Sequence, residues 1–282
     1  MTSGAARIAV AQVDCTLGDV DANLRRAREQ IEAAAAGGAD LVIFPELALH
    51  GYSLGHVDDD RSIPADDRRL TELSATGIDV LVGFHEDGGV RRYNAAAYVG
   101  ADGTRHLQRK LYLPNYLVWE ERKHTSPGQS LRAFDTRLGR MATLICNDAW
   151  QPVVPWLAAQ DGGEVLLVPA DSAAGLGPES LDTIDYWADL LRFIARAHQC
   201  WVVFCNRVGT EADARFWGGS RVLDPEGRVF AEAPLWEQAL LYADIDVATA
   251  RRRRHDVPLV AEARLGLVQR EVARLIDEGG DV

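Results

Sequence analysis

The first hundred residues contain short apolar runs separated by one long amphipathic segment. An apolar run at 8–13 predicts a strand, and apolar positions spaced three or four residues apart at 24–35 predict a helix. Asp21 or Asn23 is expected to cap this helix, and the glycine pair at 37–38 to end it. The same criteria predict a helix at 65–75 and strands at 40–44, 78–84, 95–99 and 105–108. This order of elements is typical of an α/β fold.

The pattern restarts after a long loop at 110–130, which is rich in polar and aromatic residues. Compact domains keep such loops mainly where they carry function. The second half is predicted to contain helices at 153–159, 181–198 and 264–276 and strands at 141–145, 164–168, 201–205, 219–223 and 240–245. Two similar halves without a linker predict one domain over 1–282, with two packed sheets, outer helices and a helical tail at about 264–282.

The composition is that of a globular protein, and the chain is acidic. Of the 282 residues, 47% are hydrophobic and 26% are charged, which excludes a disordered or coiled-coil chain. The 42 acidic and 30 basic side chains give a formal charge of −12, which disfavours duplex nucleic acid as a partner. We interpret the basic run at 251–254 as a solvated or subunit-facing surface rather than an anion site.

The chain lacks the sequence features of membrane and secreted proteins. No apolar run reaches the ~18 residues of a membrane span, and the N-terminus lacks a signal-peptide layout, so we expect a cytoplasmic protein. No Cys-x-x-Cys pair occurs, which disfavours disulfides and zinc, and we expect neither a metal nor another cofactor. In a reducing compartment most cysteines are small buried residues. The four here are Cys15, Cys146, Cys200 and Cys205.

Four residues with reactive side chains lie at or near the ends of predicted strands, where α/β folds commonly place their sites. They are Glu46 in FPELALHGY, Lys110 in RKLYLPNY, Glu121 in WEERKHTSPG and Cys146 in LICNDAW. A cysteine attacks as a thiolate, and its free pKa of about 8.5 leaves little thiolate at neutral pH. Glu46 can supply the base that it needs, and Lys110 a cation. The seven histidines stay open as alternative bases, because spacing alone does not exclude a Cys-His enzyme.

Together and in this order, these strings resemble the nitrilase superfamily, also called the carbon–nitrogen hydrolases. The resemblance extends from Ile8 to about Arg264 and includes FCNRVG at 204–209 and GGSRVLDPEG at 218–227. It implies an α/β fold built as a four-layer αββα sandwich. It also implies an enzyme that hydrolyses non-peptide carbon–nitrogen bonds without a metal.

The resemblance implies a role for each candidate residue. Cys146 would be the nucleophile that attacks a carboxamide or nitrile carbon. Glu46 would take the thiol proton and later pass one to departing ammonia. Lys110 would stabilise the oxyanion of the tetrahedral intermediate, with help from the backbone N–H of Asn147.

The loop at 110–130 contains a second glutamate that matches the family. Glu121 would position the lysine and the substrate, and we choose it over Glu120 because its distance to the SPG string at 126–128 fits the family pattern better. The strings GDVDANL and LPNYLVWEER also resemble the glutaminase domain that supplies ammonia to NAD synthetase. We expect a free-standing amidase, since 282 residues leave no room for an attached synthetase domain.

The residues after the nucleophile help to choose between branches of the family. Asn147 and Asp148 stand where true nitrilases usually have Trp and Glu, which disfavours nitriles. Ala149 and Trp150 stand where N-carbamoyl-D-amino-acid amidohydrolases have two arginines. The main prediction is therefore a thiol amidase that converts a small carboxamide to a carboxylate and ammonia through a thioester. An N-carbamoyl amino acid hydrolase and a non-catalytic binding relative remain as alternatives.

Three loops are expected to select the substrate, at 51–65, 112–125 and 170–180. The first contains an acidic run and the third contains one aspartate; these residues are Asp58, Asp59, Asp60 and Asp171. We favour a solvated surface for the acidic run, and selection of a cationic amide is the alternative.

The expected partners are a small-molecule amide substrate and a second copy of the chain, with no nucleic acid and no membrane. Subunits of this family commonly pair through helices near the nucleophile. We therefore expect a homodimer or higher homo-oligomer that uses the apolar-rich segments 152–159 and 186–194. Trp187 and Phe193 would anchor the interface.

Overall fold

Two six-stranded sheets pack face to face in the computed structural model, which describes residues 5–116, 119–176 and 182–279. The first sheet contains β1 (Ala6–Gln12), β2 (Leu41–Ile43), β3 (Asp79–Asp87), β4 (Arg92–Val99), β5 (Arg105–Arg109) and β15 (Ala239–Ile245). Its spatial order is β15-β1-β2-β3-β4-β5. The central strands β1, β2 and β3 are parallel, and the outer strands β15, β4 and β5 are each antiparallel to the strands that they pair with.

The second sheet repeats this arrangement. It contains β6 (Phe134–Thr136), β7 (Gly139–Thr143), β8 (Val165–Ala170), β10 (Trp201–Asn206), β13 (Arg221–Leu223) and β14 (Val229–Glu232). The order is β14-β13-β10-β8-β7-β6, with β7, β8 and β10 parallel. A small third sheet is formed by β9 (Ala173–Ala174), β11 (Val208–Glu211) and β12 (Ala214–Trp217).

Helices α1 (Val20–Ala36) and α2 (Arg68–Thr71) cover the outer face of the first sheet, and α3 (Val153–Gln160) and α4 (Thr183–His198) cover that of the second. Two further helices, α5 (Ala248–Asp256) and α6 (Leu265–Asp277), follow β15 in the chain. Side chains alternate along β1, so that Ile8 and Val10 lie between the sheets, whereas Ala9 and Ala11 lie under α1. Trp187 of α4 packs on the outer face of the second sheet. The layers run helix, sheet, sheet, helix, and the predicted four-layer αββα sandwich is confirmed.

The cap of α1 differs from the prediction. Asp19 is the N-cap, and its side chain accepts the backbone N–H of Ala22 at 3.0 Å. Asn23 is buried instead, and its amide donates to the backbone oxygen of Leu49 at 3.1 Å, which ties the helix to the turn after β2. Asp21 lies in the first turn, where a carboxylate favours the helix dipole. The glycine pair ends the helix as predicted.

The pattern of apolar positions misses the shorter elements. The helix predicted at 65–75 is a single α-helical turn, α2, followed by a 3₁₀ turn at Glu72–Thr76. The strands β6, β9, β11, β12 and β14 are not predicted, because two to four residues are too few to show a period.

α5 is formed by the basic run and is also missed, because it has no apolar stripe. Arg251 pairs with Glu164, and Arg252 pairs with Asp246 at 2.7 Å. Arg254 donates to the backbone oxygens of residues 163 and 198. These partners attach α5 to its own chain, which supports a structural surface rather than an anion site.

α6 is the last helix of the described chain, and each of its residues is exposed. Its bounds agree with the helix predicted at 264–276 within one residue. The rest of the predicted tail at 280–282 lies outside the described residues, as does residue 181 of the predicted helix 181–198. Among the helices that are described, none is long and apolar enough to cross a membrane.

The expected interface anchors differ in exposure. Trp187 is fully buried and packs against Trp150 and Phe204, so its assignment as an anchor is wrong. Trp187 lies on the apolar face of α4 that packs against the second sheet. Phe193 of the same helix is 58% exposed, and Leu157 of α3 is 43% exposed.

Candidate active site

Glu46 and Cys146 each lie in a sharp turn that follows a parallel strand, β2 in the first sheet and β7 in the second. The residue after the glutamate, Leu47, has φ 45°, and Cys146 itself has φ 48°. Non-glycine residues rarely adopt this left-handed region, and such strain persists only where the surroundings fix it. At Gly83 of β3, a Cβ would lie 2.5 Å from the backbone nitrogen of Leu47. Glycine at this position therefore lets the first turn pack directly on the strand.

Lys110 lies between Glu46 and Glu121 in a buried ion cluster. Its Nζ is 2.7 Å from Oε1 of Glu46 and 2.6 Å from Oε1 of Glu121. The structure thus brings together three predicted site residues from two separate segments of the chain. Glu120 is exposed and pairs with Lys123 at 2.7 Å, which supports the choice of Glu121.

The two glutamates accept further hydrogen bonds that sequence reasoning missed. Nδ2 of Asn94 donates to Oε1 of Glu46 at 2.6 Å, and the backbone N–H of Asp171 donates to Oε2 at 2.9 Å. The Tyr52 hydroxyl donates to Oε1 of Glu121 at 2.5 Å. Hydrogen bonds to a charged group are stronger than neutral ones, so these donors fix the orientation of both carboxylates.

Burial and charge set the protonation states of the cluster. Burial raises the pKa of the Cys146 thiol well above its usual value, Glu46 adds to this effect, and Lys110 opposes it. Burial alone would lower the pKa of Lys110, but Glu121 and Glu46 outweigh it and raise that pKa. Burial raises the pKa of Glu121 to about 7, against the opposing charge of Lys110. The lysine therefore stays charged and the resting thiol stays protonated, so attack by sulfur requires a base.

Asp148 joins the nucleophile turn to the loop that follows the lysine. Its Oδ1 accepts the backbone N–H groups of Leu111 at 2.9 Å and Tyr112 at 2.8 Å. Its Oδ2 accepts the N–H of Ile145 at 3.2 Å. Burial raises the pKa of Asp148 to about 7, although the three N–H donors oppose the shift. This side chain fixes the spacing between the thiol and the lysine loop.

Cys146 borders a narrow cavity of about 60 Å³, whose described lining includes five aromatic side chains. Asn147 lies beside it in the 3₁₀ turn Cys146–Asp148, where the first backbone N–H groups have no partner within the turn. The other lining residues are Tyr52, Pro114, Tyr116, Trp119, Trp150, Asp171, Ser172, Ala173, Leu176, Thr183 and Trp187. They belong largely to the loops predicted at 112–125 and 170–180, of which residues 117–118 and 177–180 lie outside the described residues.

The acidic run of the first specificity loop does not line this cavity. Asp60 pairs with Arg92 at 2.7 Å, and Asp59 pairs with Arg61 at 3.1 Å. Both carboxylates lie at the surface, which supports the interpretation as a solvated run. Selection of a cationic substrate by these aspartates is not supported.

Within the described ranges, the residues around the cavity include neither a histidine nor a cluster of possible metal ligands. Cys146 is half-buried, whereas the other three cysteines are buried. Burial, followed by the charge of Glu46 and its hydrogen bond with the thiol, raises the pKa of Cys146, and no histidine contributes to this shift, so Glu46 is the base next to the nucleophile.

The two neighbouring glutamates of the loop should respond differently to substitution. Glu121→Gln weakens the hold on Lys110, and a small displacement of an oxyanion donor typically costs up to ~100-fold in turnover. Glu120→Gln breaks an exposed pair and should leave turnover unchanged, since such pairs contribute only ~0–1 kcal/mol to stability. Steady-state ammonia release from the two purified variants checks this. A dead Glu120→Gln with an active Glu121→Gln would contradict the chosen register.

The chain is similar to a known protein family and to several known proteins. The family model described as carbon-nitrogen hydrolase matches residues 7–255. The glutamine-dependent NAD(+) synthetase of Thermotoga maritima is 33% identical over 246 residues, which are 86% of this chain. This chain spans only 42% of the length of that synthetase.

Two further proteins match over most of their length. The N-carbamoylputrescine amidase of Solanum lycopersicum is 28% identical over 267 residues, covering 88% of each chain. The crystal structure of a carbon-nitrogen hydrolase from Helicobacter pylori G27 superposes with a TM-score of 0.83 at 21% identity. That superposition covers 94% of this chain and 97% of the other, and it confirms the fold.

Proposed function

The chain belongs to the carbon-nitrogen hydrolase family, and on that premise we propose that it is a thiol amidase, which hydrolyses a small carboxamide to a carboxylate and ammonia. The observation that supports this most is the environment of Glu46. This carboxylate is buried beside the Cys146 thiol, whose pKa burial and Glu46 raise, and it is oriented by Lys110, Asn94 and the Asp171 N–H. A buried carboxylate held beside a thiol at the edge of a cavity is suited to general-base activation of that thiol.

In the first half-reaction, Glu46 takes the proton of Cys146 and the sulfur attacks the carboxamide carbon. The carbonyl oxygen becomes an oxyanion, which Lys110 and the backbone N–H of Asn147 stabilise. The carbon–nitrogen bond then breaks, and the proton held by Glu46 passes to the departing nitrogen. Ammonia leaves, and the acyl group remains on sulfur as a thioester.

In the second half-reaction, Glu46 takes a proton from water, and the hydroxide oxygen attacks the thioester carbon. The same oxyanion donors stabilise the second tetrahedral intermediate. The carbon–sulfur bond breaks, the proton returns to sulfur, and the carboxylic acid is released. One amide and one water give one acid and one ammonia, and the enzyme is regenerated.

The walls of the cavity favour an acyl group without negative charge. Among the described residues that line it there is no arginine or lysine to bind a carboxylate. Trp150 and Asn147, which carry no charge, are among the lining residues. An N-carbamoyl hydrolase is the second candidate, because the N-carbamoylputrescine amidase matches over nearly the full length of both chains.

An ammonia-release screen separates the two candidates. It compares short aliphatic, aromatic, cationic and ureido amides, each before and after dialysis against EDTA. If the protein is an amidase, we expect a simple carboxamide to give ammonia and the carboxylate, and we expect dialysis against EDTA to leave the rate of ammonia release unchanged. Ammonia with carbon dioxide and an amine, from ureido compounds alone, would favour the second candidate. Activity that EDTA removes and zinc restores would contradict the thiol mechanism.

We also propose that the chain forms a homodimer through α3 and α4. Leu157 and Phe193 project from these helices and are 43% and 58% exposed, and exposed aromatic residues commonly anchor stable interfaces. Light scattering at micromolar concentration should give at least twice the 30.9 kDa chain mass. Phe193→Asp should shift the protein toward the monomer, and a wild-type protein that scatters as a monomer would contradict the proposal.

A further inference from the structure

The string FCNRVG contains an arginine that the proposed chemistry does not use. Arg207 is 1% exposed and forms hydrogen bonds in two directions. Its Nη1 lies 2.8 Å from Oε2 of Glu211, and its Nη2 lies 2.9 Å from Oδ1 of Asp14. Nη2 also donates to the backbone oxygen of Cys15 at 3.1 Å. Arg207 thus holds Glu211, at the end of β11, in a fixed position beside the site.

Glu211 uses its other oxygen to bind the loop that contains Tyr52. Its Oε1 accepts the backbone N–H of Tyr52 at 2.9 Å and that of Ser53 at 2.6 Å. The preceding Gly51 has φ 82°, and a Cβ there would lie 2.5 Å from Oε2 of Glu211. The carboxylate therefore packs directly against this backbone, which only glycine permits.

The side chain of Tyr52 connects this loop to the ion cluster through a hydrogen bond that it donates to Glu121. The Tyr52 hydroxyl and Lys110 Nζ both bind Oε1 of Glu121, at 2.5 Å and 2.6 Å. A displacement of the Tyr52 backbone would move the hydroxyl, and with it the carboxylate that holds the lysine. The chain of contacts runs from Arg207 through Glu211 and the loop to the oxyanion donor.

We propose that Glu211, held by Arg207, is a positioning residue for amide hydrolysis, which acts through Tyr52 and Glu121 on Lys110. This rests on the proposed thiol amidase function. A structural role alone would explain a buried ion pair poorly, because such pairs add little stability over apolar side chains of similar size. Glu211 instead accepts the neighbouring backbone N–H groups of Tyr52 and Ser53, and these hydrogen bonds fix the direction of the Tyr52 hydroxyl.

The test compares Glu211→Gln with Asp14→Asn as the matched control. Both substitutions remove a charged partner of Arg207, but only the first touches the Tyr52 loop. We expect Glu211→Gln to lower kcat by ~10- to 100-fold with little change in KM, since small displacements of catalytic groups are costly. Asp14→Asn should keep the wild-type kcat even if its melting temperature falls. Glu211→Asp keeps the charge opposite Arg207 but is too short for the loop, and it is measured alongside in case the amide variant does not fold.

A double-mutant cycle with Tyr52→Phe identifies the route. If Glu211 acts through the Tyr52 hydroxyl, the double variant should be no slower than Tyr52→Phe alone, because both changes remove the same contact.

The pH profile of kcat gives a second readout. Glu121 faces Lys110, Glu46 and Tyr52, and loss of the tyrosine donor raises the pKa of Glu121, so the acid limb of kcat should move to higher pH in both single variants. The control should leave that limb in place. Additive losses, or an acid limb that does not move, would overturn the proposal.

A substrate-independent measurement separates this inference from the proposed function. The rate at which iodoacetamide alkylates Cys146 reports whether Lys110 still favours the thiolate. We expect alkylation to be ~10-fold slower in the Glu211 variants and unchanged in Asp14→Asn. Slower alkylation in a protein that releases no ammonia from any amide would keep the positioning role and reject the amidase. Equal alkylation rates and equal kcat in all variants of an active amidase would reject the positioning role alone.

Discussion

Replacing Cys146 with alanine is expected to abolish amide hydrolysis and to leave the fold intact. The reaction would lose the atom that attacks the carboxamide, and water would have to attack directly without forming the thioester. The side chain is half-buried at the edge of a cavity, so its removal should leave the melting temperature close to that of the wild type. Ammonia release and thermal melting of the purified protein are measured together.

Cys200→Ala is the matched control for this substitution. Cys200 is fully buried in the outer core of the second sheet and lies outside the cavity. Its replacement should lower stability slightly, as loss of a buried atom does, and should keep turnover. Ammonia release by Cys146→Ala within ~10-fold of the wild type would exclude this cysteine as the nucleophile, since covalent catalysis contributes far more.

Glu46→Gln is expected to lower turnover by ~100- to 10,000-fold, the usual contribution of general base catalysis. Glutamine keeps the size of the side chain but cannot accept a proton. The burial that raises the pKa of the Cys146 thiol makes this loss severe, because little thiolate forms without the base. Turnover is measured with saturating amide, so that changes in substrate binding do not obscure the result.

Glu86→Gln is the control for the loss of a buried carboxylate. Glu86 is 2% exposed, and it pairs with Arg109 at 2.6 Å, whereas Glu46 pairs with Lys110. This substitution should lower the free energy of unfolding, because it breaks a partly buried ion pair. It should preserve kcat, because that pair includes none of the proposed catalytic residues. If Glu86→Gln and Glu46→Gln lowered turnover equally, general-base catalysis by Glu46 would not account for the effect.

The central strands and the residues of the ion cluster could be predicted from the sequence for different reasons. The central strands β1, β8 and β10 are buried on both faces, so they appear as continuous apolar runs. Glu46 and Lys110 are recognised by the strings around them and by the chemistry that a thiol needs. Their contact depends on the packing of strands distant in sequence, which no local pattern reveals.

Other residues of the site gave no signal that could be distinguished from ordinary structure. Asn94 is one polar residue at the start of an apolar strand, and Tyr52 is one aromatic residue in a loop. The donor from Asp171 is a backbone N–H, which any residue but proline would supply. Asp148 lies in the LICND string, but its three backbone partners come from two separate segments. Such contacts are set by tertiary packing.

The central claim, a thioester on Cys146, is tested most directly by trapping the acyl-enzyme. The protein is mixed with an amide that it hydrolyses, quenched in acid within the first turnover, digested and analysed by mass spectrometry. We expect the peptide containing Cys146 to gain the mass of the acyl group and to lose it in neutral hydroxylamine. An acyl group on a different residue, or none on Cys146 while the Cys146→Ala protein still releases ammonia, would contradict it.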